Sequence, residues 1–135
     1  MIDINDSWYR VSVKALILNE KGEFLLCKES KGVWDFPGGG LDYNENPIDC
    51  LKRELFEEMG LETEEIIEKP EFFITAYKEN SKTRPYIANI FYKVKLKNLN
   101  FKESDECIEI GFFDKKKVLE INSIENVKQF FKKYN

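Results

Sequence analysis

Glu54, Glu57 and Glu58 crowd into one five-residue stretch, with Arg53 directly before them and Gly38-Gly39-Gly40 upstream. Carboxylate oxygens gathered at one point, with too few cations to balance them, suit a hard divalent ion such as Mg²⁺ or Mn²⁺. Three glutamates alone are more often a solvated acidic face made of good helix formers. Three neighbours shift that balance. Arg53 stands four residues before Glu57, a spacing at which it can hold the acid by charge-assisted hydrogen bonds. Glu45 precedes the stretch at a distance from which it can return to Arg53 or to the start of the helix. The glycine run lets backbone carbonyls come close to an ion. The chain has no histidine, which removes histidine bases, Ser-His-Asp triads and His-ligated zinc together. Acid-base chemistry must then come from carboxylates, lysines, tyrosines or a cation-activated water.

A helix is needed to bring these acids together. Asn46 is a good N-cap, Pro47 suits the first helical position and Gly60 suits the stop, so the sequence predicts a helix from about Pro47 to Met59. At roughly 100° per residue, Ile48, Leu51, Leu55 and Met59 share the core-facing sector, and Glu54, Glu57 and Glu58 the sector beside it. The acids therefore belong at the rim of the buried face. Before the helix, residues 11–18 read as a strand buried on both faces, 19–23 as a turn, and 24–27 as a second strand closing a hairpin with the first. Residues 33–36 form a short extended piece that ends at Pro37, followed by the glycine run. Beyond the helix, Phe72–Tyr77, the alternating Tyr86–Leu96 and residues 107–113 read as strands, with a polar loop over 78–84. Residues 115–120 and 124–134 read as helices, the second with Ile124, Val127, Phe130 and Phe131 inward. This order favours an α/β fold, a sheet covered by helices on both faces.

A chain of 135 residues predicts one domain over 1–135 with a self-sufficient core. The net charge of −4 argues against a dedicated nucleic-acid surface held by backbone phosphates. Cys27, Cys50 and Cys107 are odd in number and far apart, which fits buried thiols in a reduced, cytoplasmic compartment. The acidic start does not read as a signal peptide, and no apolar run approaches a membrane span.

Residues 39–61 resemble the signature box of the Nudix (MutT-like) pyrophosphohydrolases: Gly39, Glu45, Arg53-Glu54-Leu55, Glu57-Glu58 and Gly60-Leu61 fill every defining position. Size and element order agree with that family over the rest of the chain. The resemblance implies a Nudix-type α/β/α sandwich with a mixed central sheet and the box as a loop-helix-loop. It implies a hydrolase of phosphoric anhydrides that cleaves a nucleoside diphosphate linked to another group, using water and Mg²⁺ or Mn²⁺. Carried over, Glu54, Glu57 and Glu58 become the metal-binding acids, Arg53 their orienting partner, Glu45 a supporting acid and Gly60 part of the motif's frame. The carbonyl of Gly38 becomes a further ligand. Many members add one acid a few residues before a later aromatic pair; here the pair is Phe112-Phe113. Among Glu103, Asp105, Glu106 and Glu109 the choice falls on Glu106. Glu57 or Glu106 is then the general base.

Lys28, Gly39, Arg84 and Tyr77 are the candidate substrate contacts. Trp34, Phe73, Tyr77 and Phe91 are candidates to stack on a base, although strand aromatics are more often core. The expected substrates are (d)NTPs or other nucleoside diphosphate derivatives. Dinucleoside polyphosphates or RNA 5′ ends are the alternative, and a non-catalytic nucleotide sensor is disfavoured because no acid of the box is lost. Many members are homodimers, and no feature of this sequence demands one.

Overall fold

The computed structural model describes residues 8–78 and 85–134. At its centre β1 (Arg10–Leu16) runs parallel to β7 (Tyr86–Leu96) and antiparallel to β4 (Gly38–Gly40). β5 (Thr63–Ile66) and β6 (Phe72–Tyr77) both pair antiparallel with β7 and complete a mixed five-stranded sheet. A second, antiparallel sheet has β2 (Phe24–Lys28) between β3 (Trp34–Asp35) and β8 (Glu109–Phe113). Two helices, α1 (Pro47–Met59) and α2 (Glu125–Lys133), cover separate cores. The result is the expected α/β fold, a mixed sheet with flanking helices.

The ends of α1 follow from its caps. The Asn46 side chain accepts from the Ile48 amide at 2.8 Å, and Gly60 stops the helix in the left-handed region at φ 65°. Its inward face buries Cys50, Leu51, Leu55 and Met59 against Val13, Ala15 and Leu25. Each such large apolar side chain stabilises the fold by about 1.5–3 kcal/mol. α2 seats Val127, Phe130 and Phe131 against Leu16, Phe24, Phe36 and Phe91. Its Phe130 ring stands 4.8 Å from Phe36 and 5.0 Å from Phe91. Among the described residues, no helix is long and apolar enough to cross a membrane.

Several elements differ in detail from the sequence reading. β1 and β2 are joined by the expected turn, which Asn19 closes by accepting from the amides of Lys21 and Glu23. They do not form a full hairpin: only Leu18 and Phe24 bridge. Both edges of β1 are already taken by β4 and β7, so β2 turns away into the second sheet. The glycine run forms the short strand β4, and within it only Gly38 takes the positive φ that the glycines permit, 133°. The piece expected as a helix over 115–120 is a single 3₁₀ turn, Lys117–Glu120, preceded by Asp114, whose carboxylate accepts from the amides of Lys116 and Lys117. β5 is a four-residue edge strand whose centre, Glu64 and Glu65, is exposed and charged, so it carries little apolar alternation to read.

Candidate active site

The three glycines of β4 each leave room that a side chain would fill. A Cβ on Gly38 would lie 2.0 Å from the Val13 carbonyl oxygen, and one on Gly40 2.2 Å from the Arg10 guanidinium. A Cβ on Gly39 would lie 2.5 Å from the carboxyl carbon of Glu54. The bare Cα of Gly39 is therefore the floor on which Glu54 rests. One turn further along α1, Glu58 reaches the same place. Oxygens of Glu54, Glu58 and Glu106 lie within 4.8 Å of one another.

Glu106 comes from a distant loop, and Ser104 holds that loop to the helix. The Ser104 hydroxyl donates to the Glu58 main-chain carbonyl at 2.6 Å. It also accepts from the amides of Glu106 at 3.3 Å and Cys107 at 3.2 Å. This turn also explains why β8 starts at Glu109, two residues later than the sequence predicts.

Arg53 organises the other side of the cluster. It grips Glu45 with two nitrogens, at 2.8 and 3.0 Å, and donates to Glu54 at 2.9 Å and to Glu57 at 3.3 Å. Hydrogen bonds from Arg53 hold the Glu45 carboxyl at about 2, against a smaller opposing effect of burial. Glu57 stands outside the converging group, its side chain 58% exposed and directed to Arg53.

The cluster opens into a cleft of about 1460 Å³ lined by Gly38, Gly39, Gly40, Glu58 and Glu106. Lys14 forms part of its wall, buried, with its ammonium 3.0 Å from Asp35 and 3.3 Å from the Phe36 carbonyl. Burial opposes the charge of Lys14, but Asp35, then Glu58 and Glu29, more than offset it and raise its pKa. Glu29, also on the wall, is raised by burial and by Asp35. Lys14, Asp35, Glu29 and Ser104 are absent from the sequence-based candidates. Lys14 does leave a signal, as the single charged residue in the run from Val11 to Leu18.

Of the other expected contacts, Tyr77 lines the cleft. Lys28 does not; its ammonium lies 3.7 Å from Glu109 and 5.9 Å from the Trp34 ring centre. Arg84 lies outside the described residues. Trp34 and Phe91 are buried core rings, while Phe73 and Tyr77 are exposed. The three cysteines are free and buried.

A NUDIX domain model matches residues 8–134. This chain belongs to the Nudix family. An RNA pyrophosphohydrolase from Sulfurovum sp. (strain NBC37-1) is 37% identical over 89 residues, covering 61% of this chain and 57% of that protein. One from Hamiltonella defensa subsp. Acyrthosiphon pisum (strain 5AT) is 39% identical over 64 residues, covering 47% of this chain and 39% of that protein. The chain thus spans less than two thirds of the length of these curated relatives. The crystal structure of a MutT protein from Methanosarcina mazei Go1 aligns with a TM-score of 0.72 at 28% identity, covering 96% of this chain and 94% of that one.

Membership of the Nudix family implies a divalent cation, and the residues present fit one. Burial pushes the Glu58 carboxyl up to about 10, helped by its hydrogen bond with Glu54 and the charge of that neighbour. Three acids cannot all ionise so close together without a compensating cation. The donor set is all oxygen, as Mg²⁺ and Mn²⁺ prefer.

Proposed function

We propose that this Nudix chain is a divalent-cation-dependent pyrophosphohydrolase of nucleotide 5′-polyphosphates, with the 5′ end of RNA as its substrate. The convergence of Glu54, Glu58 and Glu106 on one point of an open cleft carries the chemistry. The names of the curated relatives, RNA pyrophosphohydrolases, support the RNA end over free (d)NTPs. The net charge of −4 favours the second reading, a free nucleotide.

Glu54, Glu58 and Glu106 would hold the cation, with the Gly38 carbonyl beside them. When bound, it supplies positive charge against the polyphosphate and activates water for attack on phosphorus. The protein's own groups do the rest. Arg53 holds the Glu54 carboxylate by a hydrogen bond, with Glu45 anchoring the far side of the guanidinium. Glu106 is exposed and lines the cleft, so it is the acid placed to take the proton of the attacking water. Glu57 holds Arg53 from the rim. As the water oxygen bonds to phosphorus, the anhydride P–O bond breaks and its electrons leave on the departing phosphate.

The test is turnover of 5′-triphosphorylated RNA, GTP, ATP and diadenosine tetraphosphate with Mg²⁺ or Mn²⁺, with products identified. Release of pyrophosphate or phosphate from RNA, lost in Glu106→Gln and in chelator, is the expected result. Absence of turnover on every substrate, or full turnover in chelator, refutes the reading.

A further inference from the structure

Three tyrosines, at the ends of three adjacent strands or just before them, form one row at the edge of the cleft. Tyr9 leads into β1, Tyr86 opens β7, and Tyr77 ends β6. The strands neighbour one another in that order, and Tyr77 stands directly across from Tyr86. The ring centres of Tyr9 and Tyr86 are 6.0 Å apart, and those of Tyr86 and Tyr77 5.3 Å. Core packing does not account for them, since Tyr9, Tyr86 and Tyr77 are 51%, 48% and 49% exposed. All three line the cleft that also holds Glu58 and Glu106.

The row is displaced from the acids along the sheet. Lys14, beside the acids, lies five residues beyond Tyr9, about 16 Å at the rise of a strand. Phosphates held at the acids cannot touch it, whereas the nucleosides that follow them can. Lys31 and Lys78 line the same cleft and add positive charge along it.

We propose that Tyr9, Tyr86 and Tyr77 form a stacking site for the first unpaired bases of an RNA 5′ end, an inference that rests on the pyrophosphohydrolase reading and deepens it. A mononucleotide needs one ring. Three rings in succession offer surfaces to successive bases, and such stacking tolerates any sequence because every base has a π-face. Lys31 and Lys78 can meet the phosphates between those bases, while the rings carry the contact to the bases themselves.

The experiment compares kcat/KM for GTP, a 5′-triphosphorylated RNA trinucleotide beginning with G, and diadenosine tetraphosphate, in the wild type, Tyr86→Ala and Tyr86→Phe. Binding of a 3′-labelled, 5′-monophosphorylated trinucleotide is followed by fluorescence anisotropy on the same proteins. The expected result is a trinucleotide-to-GTP ratio that falls about tenfold in Tyr86→Ala, the size of one lost base–ring stack, and survives in Tyr86→Phe. Trinucleotide binding falls in parallel. An unchanged ratio with unchanged binding overturns the stacking site while leaving the pyrophosphohydrolase reading intact. A loss confined to diadenosine tetraphosphate overturns RNA as the occupant. Should the wild type hydrolyse none of the substrates, the proposed function fails, and anisotropy alone still decides for or against the row.

Discussion

Replacing Glu58 with Gln in the cation-free protein should change how stability depends on pH. The Glu58 carboxyl has an ordinary value of 4.5 and is pushed up to about 10 in the fold, first by burial and then by Glu54. Between those values the folded state keeps a proton that the unfolded chain gives up. Stability that is fully present below about pH 4.5 is therefore lost as pH rises toward 10, at about 1.4 kcal/mol per pH unit. Solvent reaches part of this carboxyl, so screening trims the upper end of the window. The span from about pH 6 to pH 8 remains inside it and amounts to about 3 kcal/mol. With 135 residues and an unfolding entropy of about 2.1 cal/mol/K per residue, this corresponds to a fall in Tm of about 10 °C. Glu58→Gln removes the titrating group and should flatten that fall. Glu29 is also raised, but it is common to both proteins and cancels in the difference. The assay is thermal unfolding by circular dichroism in chelator at three pH values, repeated with saturating Mn²⁺. The cation should displace the proton and flatten the wild-type curve as well. Parallel curves for wild type and variant in chelator would refute the reasoning.

Gly39→Ala places a methyl 2.5 Å from the Glu54 carboxyl carbon, and should lower turnover about 100-fold while circular dichroism shows the fold retained. Ser104→Ala cuts the tie between the Glu106 loop and the carbonyl of Glu58, and should weaken Mn²⁺ binding about tenfold by isothermal titration calorimetry. Asp35→Leu strands the buried ammonium of Lys14 and should cost about 3–5 kcal/mol in urea denaturation; adding Lys14→Met should recover most of that loss.

Elements with strong local signals are legible in the amino-acid order itself. Asn46, Pro47 and Gly60 mark both ends of α1, and unbroken patterns mark β6 and β7. Helical spacing alone places Glu54 and Glu58 on the rim of the buried face. What the sequence hides is non-local. The departure of β2 from β1 depends on which strands already occupy the edges of β1, and those lie far along the chain. Glu106 joins the acids through Ser104, a contact spanning 46 residues. Lys14 and Asp35 meet only because β1 and β3 are brought together at the cleft. Helical spacing also groups Glu57 with its neighbours, whereas Arg53 draws it to the rim. The tyrosine row spreads over three separate stretches of the chain, so no single window of sequence displays it.

The central claim is that Glu54, Glu58 and Glu106 jointly hold a divalent cation. Anomalous diffraction from a crystal grown with Mn²⁺ tests it most directly. One strong peak is expected within about 2.3 Å of carboxylate oxygens from all three residues. A crystal with Mn²⁺ bound elsewhere, or with these carboxylates turned apart and no peak between them, would contradict it.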